Sequence, residues 1–333
     1  MTISMKDIAR VAGVSLSTVS RALADSPRVK LETRLHLQRL AKEMGYEPSA
    51  IARGLATKRT HSLGVVVMDI TDAFVAELVR ALDRAALDHG YSLILSHCGA
   101  DPEREMAAIK LLRQKRVDAI IVADPRVAES YLPSLQESGV PVILVNRRSY
   151  RYAVSTDNVS AARQAMEHLL RLEHRRIAYI GDVRNPEEDR ERRAGYEQAL
   201  TARGIPVEPA LGVEGNGQPE GGRQAMMQLL SLPDPPSAIF CFNDLTAIGA
   251  MQAAQANSFH VPQDLSLIGF DDIHLASYLS PPLTTVGQPK ERIAGLAVET
   301  ALSLAEGKEP PTDRLLPGTL VIRGSTAPPR RGT

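Results

Sequence analysis

The sequence predicts an α/β protein in which an N-terminal all-α helix-turn-helix head joins a two-lobed core of doubly wound parallel sheets. Three observations predict it. Two short amphipathic segments meet at Gly13, apolar runs alternate with helical segments from Leu63 onward, and that alternation restarts after Thr156-Asp157-Asn158. A chain of 333 residues has the length of two or three folding units.

The head comes first. Ser4 stands where a helix N-cap belongs, with Asp7 three residues on, and opens a helix whose Ile8, Val11 and Ala12 form one apolar stripe. Gly13 breaks it, because a tight turn between helices needs the backbone freedom that only glycine has. The hydroxyl of Ser15 can cap a second helix, Leu16 to Leu23. Val14, Val19 and Leu23 then face a core shared with a third helix, roughly Glu32 to Met44, which leaves Leu16, Ser17, Ser20 and Arg21 outward. Ser17, Thr18 and Ser20 carry hydroxyls suited to phosphate or base edges, and Arg21 offers two parallel donors to a guanine.

Charge supports this. Residues 1–60 hold eleven Lys/Arg against five Asp/Glu, a net of +6; since the whole chain has 39 of each sign, the remainder carries −6. A basic head on an acidic body is the pattern of a nucleic-acid-binding module attached to something that does another task.

In the body, the apolar runs are Gly64–Met68, Ser92–Leu95, Asp118–Val122 and Pro141–Val145, then Arg176–Gly181, Ala238–Phe242 and Leu265–Phe270. Ligands of open parallel sheets collect beyond the carboxyl ends of strands. The residues there are Asp72, Phe74, Asn146, Arg147, Asn243, Asp244, Asp271 and Asp272, with Arg192 on a later helix. An aromatic face, two arginines and several amide or carboxylate groups can satisfy the ring and hydroxyls of a sugar- or nucleoside-sized ligand. Each residue also has a plainer reading: Asp244 and Asp272 as helix caps, Arg147 as a surface ion pair, Phe74 as core.

Read together, the words Met5-Lys6-Asp7-Ile8-Ala9, Ala12-Gly13-Val14-Ser15, Thr18-Val19-Ser20-Arg21-Ala22-Leu23, Met44-Gly45-Tyr46-Glu47-Pro48 and Ala52-Arg53-Gly54-Leu55 resemble the DNA-binding head of the LacI/GalR family of bacterial transcriptional regulators. The words Phe242-Asn243-Asp244-Leu245-Thr246, Leu267-Ile268-Gly269-Phe270-Asp271-Asp272 and Pro282-Leu283-Thr284-Thr285 resemble the same family's effector-binding core, which is similar to periplasmic sugar-binding proteins.

The resemblance implies a hinge helix over residues 49–57 that folds on operator binding, with DNA contacts from Ser49 and Arg53, and Leu55 wedged into a base step from the minor groove. It implies a cleft lined by Phe74, Asn146, Arg147, Arg192, Asn243, Asp271 and Gln288, to which Asp72 is added here. The implied layout is a head at 1–48, hinge and linker at 49–60, a core at 61–327 and a frayed tail at 328–333. The core's first subdomain takes residues 61–157 and 289–318, its second 158–288 and 319–327.

Four departures stand out. Ser49 replaces a common Asn, Asp72-Ala73-Phe74-Val75 replaces Asn-Pro-Phe-Phe, Glu173-His174 replaces Gly-His, and Asn257-Ser258 stands where a turn glycine is usual.

The expected protein is a ligand-responsive regulator, a repressor released by a small sugar. The alternatives are a corepressor-type regulator that binds a nucleobase or nucleoside, and a solute-binding protein without DNA function. Its expected partners are pseudopalindromic double-stranded operator DNA, a small polar effector and a second copy of itself, since a two-fold protein matches a two-fold site. No cofactor, metal or membrane is expected, and the location is cytoplasmic, at the bacterial nucleoid. Catalysis is not expected: GxxxxGK[ST], GxGxxG and HExxH are absent, and His97 beside Cys98 would point to opposite strand faces. Cys98 and Cys241 read as buried thiols.

Overall fold

The computed structural model describes residues 3–46, 59–99, 101–123, 125, 133, 135, 139–312 and 314–330. They divide into two compact units, up to Thr60 and from His61.

The first unit holds three helices, α1 (Met5–Ala12), α2 (Leu16–Leu23) and α3 (Leu31–Glu43). The Asp7 carboxylate accepts from both the N–H and the hydroxyl of Ser4, and Gly13 ends α1 at φ +65°. Ser15 caps α2 by accepting from the Thr18 N–H. The core is Ile8, Val19, Ala22, Val29, Leu37 and Ala41, with Val14 and Leu23 half-buried against it. Val11 departs from the expected stripe and is 59% exposed. A helix of eight residues presents little more than two turns, and Ile8 with the flanking Ala9 and Ala12 already fills its share of this small core.

The second unit has two six-stranded sheets. The first runs β1 (Ser62–Val67), β2 (Ser92–His97), β3 (Ala119–Ala123), β4 (Val142–Val145) and β5 (Ala153–Thr156), joined late in the chain by a two-residue strand, β11 (Leu315–Leu316). Its order is β11-β5-β4-β3-β1-β2, all parallel. Helices α4 (Ala73–Asp88), α5 (Pro102–Gln114) and the returning α10 (Lys290–Ala305) cover it.

The second sheet repeats the plan with β6 (Ile177–Ile180), β7 (Gly212–Val213), β8 (Ala238–Cys241), β9 (Ser266–Asp271), β10 (Thr284–Gly287) and β12 (Thr319–Val321). The order is β12-β10-β9-β8-β6-β7, parallel except for β10 with β12. Helices α6 (Asn158–Arg171), α7 (Pro186–Ala202), α8 (Pro219–Leu230) and α9 (Asp244–Ala256) pack on it. The first five strands of each sheet thus run in the order second-first-third-fourth-fifth, with the late strand at the edge beside the fifth, a doubly wound arrangement that opens a crevice at its carboxyl edge.

Two family departures acquire a physical meaning here. Glu173, just past α6, sits at φ +73°, and Ser258, just past α9, at φ +62°. Both occupy the left-handed position at a helix end, where glycine carries no steric cost. Glu173→Gly is therefore expected to stabilise the protein by up to about 1 kcal/mol, read as a higher urea midpoint. An unchanged or lower midpoint would show that Glu173 has a compensating contact. His174 is buried, its ring within 2.9 Å of Ser237 Oγ and 3.1 Å of Ser266 Oγ, and burial lowers its pKa.

His174 Nε2 lies 2.9 Å from the Ala327 carbonyl, and Arg330 pairs with Asp264 at 2.5 Å; residues 331–333 lie outside the described residues.

Candidate functional site: a head face and an interlobe cleft

Two places collect the residues singled out from the sequence. On the head, Ser17, Ser20 and Arg21 are exposed at i, i+3 and i+4 along α2, one face of the helix. Leu16 is 42% exposed beside them. Thr18 is half-buried, its Oγ 2.8 Å from that of Ser15, so it fastens the start of the helix. Ser49, Arg53 and Leu55, with the hinge segment around them, lie outside the described residues.

In the core, the carboxyl ends of both sheets face one cleft. From the first sheet, Asp72 caps α4 by accepting from the Phe74 and Val75 N–H groups, which sets the Phe74 ring at the cleft. Asn146 follows β4 at φ +66°, a conformation Asn tolerates better than most residues. Its buried Oδ1 has no hydrogen-bond partner among the described residues.

From the second sheet comes Arg192, 2% exposed, on α7. Its guanidinium lies 4.3 Å from the Phe242 ring centre and 3.8 Å from that of Phe270. It donates from Nε to Asn158 Oδ1 (3.1 Å), from Nη1 to the Phe242 carbonyl (2.5 Å) and from Nη2 to Glu188 (3.3 Å). Asp271 Oδ1 is 4.0 Å from Nη2 and accepts from Gln288 Nε2 at 2.7 Å. Gln288 in turn accepts from Thr156 at the end of β5. Burial pushes the Asp271 carboxyl up to about 7 against the pull of Arg192 and Gln288, with Asp72 adding to the rise. Asn243 caps α9 through Thr246 and donates to the Gly217 carbonyl.

Asp72, Phe74, Asn146, Arg192, Asn243, Asp271 and Gln288 therefore line one cleft. Arg147 does not line it: its Nε lies 2.8 Å from Glu187 on α7, a tie between the β4–β5 loop and the second lobe. Of the residues with plainer readings, Asp244 is no cap. It is fully buried, accepting from the Ile273 N–H and the Thr285 hydroxyl, and burial holds its pKa well above the carboxylate range. Asp272 pairs with Arg323 at 2.6 Å.

Sequence reasoning missed Asp182, Asn185, Glu188, Asn216 and Gln218, which also line the cleft. The spacing of Glu188 to Arg192, i to i+4, was the available signal.

The cleft is narrow. Its volume is about 30 Å³, room for about two water molecules. The lobes are tied across it. Glu77 on α4 accepts from the His274 N–H at 2.7 Å and pairs with Lys290 at 2.8 Å, and Lys290 also donates to the Asp271 and Asp272 carbonyls. Beside Arg147, Arg148 pairs with Glu191 at 3.1 Å.

Among the described residues, no group of three or more His, Cys, Asp or Glu is placed to hold a metal. Burial pushes the Cys98 thiol up to about 11 and raises that of Cys241, so both stay protonated. No helix among these residues is long and apolar enough to cross a membrane.

Comparison with known proteins agrees with this anatomy. Residues 4–49 match the family described as bacterial regulatory proteins, lacI family, and residues 166–326 match the periplasmic binding protein-like domain. The HTH-type transcriptional repressor CytR of Escherichia coli K12 is 36% identical over 97% of this chain and 96% of its own length. The crystal structure of the lac repressor dimer bound to operator and the anti-inducer ONPF superposes with a TM-score of 0.89 at 28% identity, covering 98% of this chain and 100% of that one. A complex of the transcriptional regulator CelR with cellobiose superposes at 0.74, also 28% identical, over 97% and 99%. A helix-turn-helix head with an open reading face, followed by a two-lobed core closing on a polar cleft, thus has its counterpart in relatives matched along nearly their whole length, and the chain belongs to the lacI family of bacterial regulatory proteins.

Proposed function

We propose that the protein is a homodimeric repressor that holds a pseudopalindromic operator and releases it when a small uncharged polyhydroxylated ligand, a sugar in the first instance, occupies the interlobe cleft. One observation carries the reading: a single chain joins a head with Ser17, Ser20 and Arg21 on one open helix face to a core whose strand ends converge on one polar cleft. The chemistry of that cleft favours a hydroxyl-rich ligand. Asn146 Oδ1 is a buried acceptor with no donor among the described residues, Asp271 is a second acceptor when ionised, and Phe74 and Phe242 supply apolar faces for a ring.

A cleft this narrow favours a ligand that parts the lobes as it enters. Binding is then coupled to lobe pose, and by linkage operator DNA must alter ligand affinity by the factor that ligand alters DNA affinity. The protein's role is to bind and switch, not to catalyse, and it acts at the nucleoid in the cytoplasm. Leu55 remains the proposed minor-groove wedge, with Ser49 and Arg53 beside it.

The test is operator selection from random duplex DNA, followed by titration of sugars and nucleosides into the selected complex. A palindromic site released by a sugar is the expected result; failure to select any site would overturn the regulator reading. For the head, Arg21→Ala is expected to cost about 1–3 kcal/mol on the selected site and much less on random duplex. Equal losses on both would make Arg21 a phosphate contact.

A further inference from the structure

A second pocket lies away from the cleft, where β5 and β11 form the edge of the first sheet. It holds about 210 Å³ and is lined by Arg148, Tyr150, Arg151, Ser155, Thr312 and Arg314, among others, with no carboxylate among the described residues of the lining. Three guanidiniums around one concavity repel one another unless an anion joins them.

The internal partners fall short of that. Arg148 pairs with Glu191, but among the described residues neither Arg151 nor Arg314 has a carboxylate in ion-pair range. Arg314 Nη2 donates to the Arg151 carbonyl, and both guanidiniums lie near the Tyr152 ring, at 5.9 and 5.2 Å from its centre. That leaves Arg314 Nη1 buried without a hydrogen-bond partner among the described residues. Ser155, 2% exposed on β5, has its Oγ in the same condition. A buried charged donor without an acceptor costs more than a neutral one, so two orphaned groups in one basic pocket point to an absent acceptor.

We propose that this pocket is a second ligand site, specific for a tetrahedral oxyanion, phosphate or a phosphate ester. Arg314 and Arg151 supply charge-assisted donors, and the Ser155 hydroxyl donates from the floor. Arg148 both lines the pocket and reaches Glu191 on α7. An anion that draws on Arg148 therefore loosens one tie between the lobes, which makes the site a means of adjusting the response of the cleft.

The experiment is calorimetric titration of the full-length protein with inorganic phosphate and separately with glycerol phosphate, at ionic strength held constant with sodium chloride. Saturable binding at one site per chain is expected, weakened at least about tenfold by Arg314→Gln and by Arg151→Gln. Arg151 is exposed, so its variant carries the test even where Arg314→Gln fails to fold. Tighter binding of the ester would assign the pocket to a phosphorylated metabolite, and equal binding to free phosphate; either supports the proposal. Absence of saturable binding, or affinities unchanged in both variants, would overturn it. So would binding that emerges only in Asp313→Asn, because the occupant would then be the chain's own carboxylate, a residue outside the described set.

Discussion

Arg192→Met is expected to destabilise the core by about 3–5 kcal/mol and to abolish the response to effector. The substitution keeps an unbranched apolar stem between the Phe242 and Phe270 rings but removes the charge and every donor. Glu188, whose side chain is 5% exposed, then loses the cation beside it, and Asp271 loses the one 4.0 Å away. Breaking a buried pair from one side costs more than the pair contributes, because the surviving charge stays desolvated. The Phe242 carbonyl and Asn158 also lose their donor. Urea unfolding measures the loss, and operator release by effector, assayed at low temperature, measures the response. A change below about 1 kcal/mol with release intact would show that Arg192 neither holds the second lobe together nor serves the cleft.

The second large effect is on pH. With its carboxyl raised to about 7 from an ordinary 3.8, Asp271 is neutral in the folded protein over a range where it ionises in the unfolded chain. Its contribution to stability is full below about 3.8 and is lost as pH rises to about 7, by at most about 1.4 kcal/mol per pH unit. Ligand binding runs the other way. Hydroxyl donors prefer a carboxylate to a carboxylic acid, so affinity for a sugar should climb as pH rises through 7, by up to about tenfold per unit below it. The charged groups acting on Asp271 are Arg192 and Lys290, which oppose the rise, and Asp72, which adds to it. Effector titrations between about pH 5.5 and about pH 8.5 check this. Asp271→Asn should flatten the profile, and a flat profile in the unaltered protein would sink the idea.

Much of the fold was legible because parallel strands buried on both faces read as unbroken apolar runs. Val65-Val66-Val67, Ile120-Ile121-Val122 and Ile239-Phe240-Cys241 announce themselves, and all nine residues are buried. The strands that escaped are short or polar. Gly212–Val213 is two residues long, and Ala153–Thr156 buries Ser155 and Thr156, whose burial depends on partners far along the chain. Gln288 satisfies Thr156 from 132 residues away, and no local pattern announces such a bond.

The same reason divides the cleft. Asp72, Asn146, Asn243 and Asp271 closely follow apolar runs, so the rule about carboxyl ends of strands finds them. Asn216 and Gln218 follow the two-residue strand and share its silence. Glu188 lies in Pro186–Arg193, a stretch so rich in acids and arginines that it reads as a solvated face. Arg147 shows the converse. It follows a clear run, yet Glu187 reaches it first.

The late return of the chain to both sheets bears on the order in which a growing polypeptide gains its parts. Helices α1 to α3 share a core drawn from the first 46 residues, so synthesis of a small fraction of the chain supplies everything that head needs. Neither sheet is so placed. The first awaits α10 and Leu315–Leu316, the second Thr319–Val321, so the two lobes become complete within a few residues of each other. A nascent chain therefore carries a folded helix-turn-helix head well before it can close a cleft. A ribosome stalled between residues 60 and 290 would display a head without its switch, and chains truncated there should be degraded or aggregate through unfinished sheet edges.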